Sequence, residues 1–84
     1  MHNDKPLDTL RREIDEVDDS ILDLLNRRAN LVIEVGRRKA EEKRDFHVPS
    51  REREIYRRLT SSNPGPFPNE ALRSVFREII SASL

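Results

Sequence analysis

Eighty-four residues make one small domain, and a domain of this size buries too little surface to be comfortably stable alone. Hydrophobic residues supply 35% and charged residues 38%, with sixteen basic and sixteen acidic side chains and zero formal net charge; a nucleic-acid binder carries a basic excess instead. The absence of cysteine excludes disulfides and thiolate metal sites.

The opening Met1-His2-Asn3-Asp4-Lys5-Pro6 lacks the apolar run of a signal peptide. No stretch approaches the ~20 apolar residues of a membrane span, so the cytoplasm is the expected compartment. A hydrophobic share this far below the usual ~45–50% fits disorder, long surface-rich helices, or a core shared with a second copy. The periodicity that follows argues against disorder.

Pro6 suits the first turn of a helix, and Asp4 and Asp8 favour its positive end. From there one face reads Leu7, Leu10, Ile14, Val17, Ile21, Leu24, Arg28, Leu31, Val35, Lys39. The steps are threes and fours, the seam of a helix that packs along its whole length. The pattern predicts a helix over about 6–43, roughly 54 Å long at 1.5 Å per residue. Lys39, Lys43 and Arg44 stand at its C-terminal end, where cations are favoured.

Residues 44–48 form a connector, and Pro49 opens a second helix over about 49–61 with the stripe Val48, Glu52, Ile55, Leu59. The run Asn63-Pro64-Gly65-Pro66-Phe67-Pro68 reads as a loop. A third helix is expected over about 68–84, with the stripe Leu72, Val75, Phe76, Ile79, Ile80, Ser83. The chain is therefore all-α, with one very long helix and two short ones.

Two helices of ~13 and ~16 residues do not cover one of ~54 Å, so the remaining seam needs another chain. Residues 8–23 carry seven acids and two bases, whereas residues 27–44 carry seven bases and three acids. An antiparallel homodimer sets each acidic half beside a basic half.

The seam is interrupted twice, and both interruptions are cations. A buried cation is costly unless a counter-charge meets it, and no acidic residue lies on this seam. Arg28 and Lys39 stand eleven positions apart, three turns plus ~20°, so they point the same way ~16 Å apart by rise. Glu52 interrupts the second stripe and Ser83 ends the third. Together the four describe a polar pocket for an anion inside a helical bundle. Full antiparallel overlap brings Arg11 of a second chain near Lys39 of the first.

Each residue also has a plain structural reading. Seam cations snorkel to water, Glu52 sits in a first turn where the dipole favours a carboxylate, and Ser83 lies at a terminus. Gly36, mid-helix at a cost of ~1 kcal/mol against alanine, marks close approach by a neighbouring helix or a ligand. The clusters Arg37-Arg38-Lys39 and Arg51-Glu52-Arg53-Glu54 read largely as solvated faces. His2 and His47 lack metal-ligand spacing. There is no phosphate-cradling glycine loop and no Ser–His–Asp arrangement at helical spacing. Any catalysis then rests on positioning and electrostatics.

From Leu7 onward the chain resembles the all-α chorismate mutases. The resemblance lies in Leu10-Arg11-Arg12-Glu13-Ile14-Asp15, Leu24-Leu25-Asn26-Arg27-Arg28, Val35-Gly36-Arg37-Arg38-Lys39 and Arg51-Glu52-Arg53-Glu54, in that order and spacing. The ending, Phe76 to Ser83, is similar to the mutase domain that opens bifunctional chorismate mutase–prephenate dehydratases. The resemblance implies conversion of chorismate, a dianion, to prephenate by an intramolecular [3,3] rearrangement without a cofactor. It implies an intertwined dimer, a six-helix bundle with two sites, each built from both chains. It also implies roles: Arg28 and a second chain's Arg11 hold the substrate carboxylates, with Arg51 and Ser83 in support. Lys39 donates to the ether oxygen, and Glu52 accepts from the ring hydroxyl.

Two departures follow from the same resemblance. The family often has an acidic residue just before the second helix, where this chain has Val48. It also expects a Gln or Glu one turn beyond Ser83, donating to the ether oxygen alongside Lys39, and this sequence stops at Leu84. The expectation is an excised mutase domain of a longer chain, with a prephenate dehydratase domain downstream. Two other functions share the pattern: isochorismate pyruvate lyase, and a non-catalytic helical dimerisation or effector-sensing module.

Overall fold

The computed structural model describes residues 4–43 and 49–83, and His2, His47, Val48 and Leu84 lie outside them. Among the described residues every regular element is an α-helix: α1 Leu7–Glu42, α2 Pro49–Ser62 and α3 Asn69–Ala82. The chain divides into two compact units after Leu31, with α1 contributing to both. Among the described residues no helix is long and apolar enough to cross a membrane.

The first unit holds the start of α1. Proline lacks an N–H and its φ is preset for a first helical turn, and here the Pro6 carbonyl accepts from the Leu10 N–H at 3.1 Å. Lys5 pairs with Glu13 and ties the entering segment to the second turn. No residue of α1 is buried. Its apolar seam lies open, with Ile14 58% and Leu24 59% exposed, whereas Arg28 is half-buried.

The second unit holds the rest of α1 together with α2 and α3. The helix ends where Lys43 takes a left-handed φ of 56° and its N–H donates back to the Ala40 carbonyl at 3.3 Å, closing the last turn as a left-handed cap residue does. Helices α2 and α3 pack on one another. Among the described residues Ile55 and Ile80 are the buried apolar ones, and Leu59, Leu72, Phe76 and Ile79 are half-buried.

The loop between them is organised by one side chain. The Asn63 amide donates to the Phe67 carbonyl at 2.7 Å and to Asn69 Oδ1 at 2.7 Å, while its own oxygen accepts from the Gly65 N–H at 2.9 Å. Gly65 adopts a φ of 77°, where a side chain is strained.

Two details differ from the pattern read in the sequence. Helix α3 is shorter than the expected 68–84: Pro68 is its N-cap and Ser83 its C-cap. Ser83 leaves helical geometry with ψ 5°, and its N–H bonds the Ile80 carbonyl at 3.1 Å, a tightened last turn. Val75, placed on the apolar stripe, is 44% exposed, because a period of 3.6 fixes the centre of a face but not its width.

Ile55 on α2 is one of the two buried apolar side chains among the described residues. Ile55→Ala is expected to lower stability by about 2–4 kcal/mol in urea denaturation, as buried Ile→Ala changes do; a loss below about 0.5 kcal/mol would show that this side chain is not part of a core.

Candidate active site

The six residues singled out in the sequence fall on both sides of the division. Arg11 and Arg28 belong to the first unit, and Lys39, Arg51, Glu52 and Ser83 to the second. Arg11 is exposed on α1. Arg28 is different: its Nη1 is buried and has no hydrogen-bond partner among the described residues. A buried donor without an acceptor is uncommon and costs about 1–3 kcal/mol. The acceptor that a guanidinium N–H favours is a carboxylate.

In the second unit Lys39 stands half-buried in the last turn of α1. Glu52 is half-buried in the first turn of α2, where the aligned peptide dipoles favour a negative charge. Both make further polar interactions and neither is without a partner. Arg51, one residue before Glu52, is exposed and its Nη1 bonds Glu54 Oε1 at 2.9 Å. Ser83 is half-buried, and its hydroxyl donates to the Ile79 carbonyl at 3.0 Å. Its oxygen is left to accept, so binding a carboxylate requires the hydroxyl to turn away from the helix. Gly36 is half-buried on the same stretch of α1 as Lys39.

One arrangement had no signal of its own in the sequence. A cleft of about 560 Å³ opens between α2 and α3, lined by Arg53 and Arg57 from α2 and Arg73 from α3, with Tyr56, Glu54 and Ser50. The i, i+4 spacing of Arg53 and Arg57 was visible, but nothing in the sequence pairs them with Arg73. Among the described residues no cluster of His, Cys, Asp and Glu is placed to hold a metal ion.

At its coarsest this is an all-helical protein that presents half-buried cations, one of them with an unmet donor. The chain belongs to the family described as chorismate mutase type II, which matches residues 10–84, a family of isomerase-type enzymes. It is 48% identical over 82 residues to a bifunctional chorismate mutase/prephenate dehydratase of Aquifex aeolicus, covering 93% of this chain and 23% of that protein. A protein of the same description from Stutzerimonas stutzeri is 39% identical over 83 residues, with the same two coverages of 93% and 23%. This chain thus spans under a quarter of the length of these curated relatives. A solved chorismate mutase (form I) from Thermus thermophilus superposes with a TM-score of 0.91 at 45% identity, covering 95% of this chain and all of that one.

The unmet donor on Arg28 makes a stability prediction. Replacing a buried polar group that lacks a partner by an apolar one of similar shape is neutral or stabilising. Arg28→Met is therefore expected to hold the melting temperature or raise it by up to about 5 °C in anion-poor buffer; a fall of more than about 5 °C would mean that the guanidinium is a structural contact.

Proposed function

We propose that this chain rearranges chorismate to prephenate, as an antiparallel homodimer in which each site draws on both subunits. The observation that carries the reading is Arg28, whose buried Nη1 lacks an acceptor among the described residues. Family membership supplies the substrate class: a dianion that needs guanidinium partners.

The roles follow from charge and position. Arg28 and the partner subunit's Arg11 grip the two carboxylates through planar forks that match carboxylate geometry. This holds the side chain over the ring in the compact conformer from which the new C–C bond forms. As the C–O bond breaks, negative charge gathers on the ether oxygen, and the Lys39 ammonium donates to it. Electrons shift within one molecule, so no proton, nucleophile or co-reactant enters. Glu52 accepts from the ring hydroxyl. Arg51 reaches the substrate by exchanging its surface pair with Glu54, a small loss for an exposed ion pair. Ser83 supports a carboxylate once its hydroxyl leaves the Ile79 carbonyl.

The dimer has its own support. A row of exposed Leu, Ile and Val residues runs along α1, and each gains about 1.5–3 kcal/mol on full burial. The acidic first half and basic second half of that helix complement each other when two copies run antiparallel, giving an intertwined six-helix bundle. The proposed compartment is the cytoplasm. The relatives' names join a mutase to a prephenate dehydratase, and a dehydratase domain of the same parent polypeptide is the proposed consumer of the product.

Decay of chorismate absorbance, with prephenate identified as product, tests the reaction; release of pyruvate from isochorismate without turnover of chorismate would assign the lyase instead. Lys39→Ala is expected to lower turnover by about 100-fold or more, as loss of one preorganised donor does, with little change in melting temperature. A large thermal loss with nearly full turnover would make Lys39 structural and sink the assignment. For the assembly, Val17→Glu puts a carboxylate on the apolar seam and is expected to shift sedimentation from dimer to monomer. A variant that sediments as the parent does would show that the seam is not the subunit contact.

A further inference from the structure

We propose that the cleft between α2 and α3 is a second anion site, separate from the proposed active site and shaped for a compact multivalent oxyanion, a diphosphate or a tricarboxylate. Its volume of about 560 Å³ falls within the ~300–1,000 Å³ of small-molecule pockets. Three guanidiniums line it, those of Arg53, Arg57 and Arg73. Among the described residues none of the three forms an ion pair. The lining holds one carboxylate, Glu54, which pairs with Arg51 at 2.9 Å, so three guanidiniums face a single acid.

Convergence matters more here than net charge. Single exposed arginines bind anions weakly at physiological salt, because charges beyond ~8 Å are screened. Arg53 and Arg57 are one turn apart, about 6 Å by rise, and Arg73 faces the same space from α3. Their forks match the oxygens of phosphate and carboxylate groups. Ser50, in the first turn of α2, brings the helix N-terminus to the cleft, where the peptide dipoles add to the attraction. The grouping is a knot of charge and not a stripe, which favours a compact anion over an extended polyanion. Arg57 lies about 140° around α2 from Glu52 at 100° per residue, so these two residues stand on different sides of that helix.

Isothermal titration of the full chain with inorganic pyrophosphate and with citrate, at about 0.15 M salt and matched ionic strength, tests the proposal. Saturable binding of either supports it, and the one that binds assigns phosphate or carboxylate chemistry. Arg57→Ala and Arg73→Ala should each weaken that binding by about 10-fold, the lower end for a charge-assisted hydrogen bond. Arg12→Ala, an exposed cation on α1, should change it less than 2-fold. Arg57→Lys, which keeps the charge but not the fork, should fall between. Four results would each overturn the proposal: no binding of either anion at millimolar concentration; equal weakening by Arg12→Ala; binding of polyglutamate alone, which would make the cleft a docking surface for acidic protein; or a changed oligomeric state in Arg57→Ala, which would make it a subunit contact. Failure of mutase activity would leave these binding results standing, and their failure would leave the activity standing.

Discussion

The governing constraint here is a long helix that is greasy along one side and lies open to water on that side. A seam of leucine, isoleucine and valine facing water is unfavourable at every turn, and soluble monomers rarely carry a continuous apolar patch of that extent. In α1 no residue is buried, while the α2–α3 pair keeps a small core around Ile55 and Ile80. The described residues therefore combine a small core on the two short helices with a long apolar face left open on α1.

The same seam explains why its two cations matter. Interrupting an apolar face with charge lowers stability unless something compensates, and the proposed site is built on those interruptions. Arg28 is half-buried with one nitrogen unmet, while the leucines around it stay open. A surface arginine of ordinary function would extend into solvent instead. In the proposed site stability and binding are in opposition, as they are wherever a protein keeps charge for a ligand.

Much of this was legible in the sequence, for identifiable reasons. The long helix was readable because its threes and fours run unbroken from Leu7 and because Pro6 marks its start. Arg28 and Lys39 were readable as exceptions to a strict rule. Periodicity does not report how wide an apolar face is, and so Val75 was placed inward when it is exposed. Nor does it report where a final turn tightens, which moved the end of α3 back to Ala82. The cleft was illegible for a different reason: Arg57 and Arg73 are sixteen residues apart, and only the packing of α2 on α3 brings them to one space. The pairing of Arg51 with Glu54 and the bond of the Ser83 hydroxyl to the Ile79 carbonyl were also hidden, since hydrogen-bond partners depend on rotamers.

The Asn63 amide, which binds Phe67 and Asn69 and accepts from Gly65, has a kinetic meaning. It closes a loop of a few residues, and short loops cost little entropy to close. Local contacts of this kind form fast and at any dilution. The α2–α3 hairpin is thus settled at first order, whereas the proposed pairing of α1 seams is second-order in protein. On that proposal, one asparagine marks the boundary between what each molecule settles alone and what it settles only by collision.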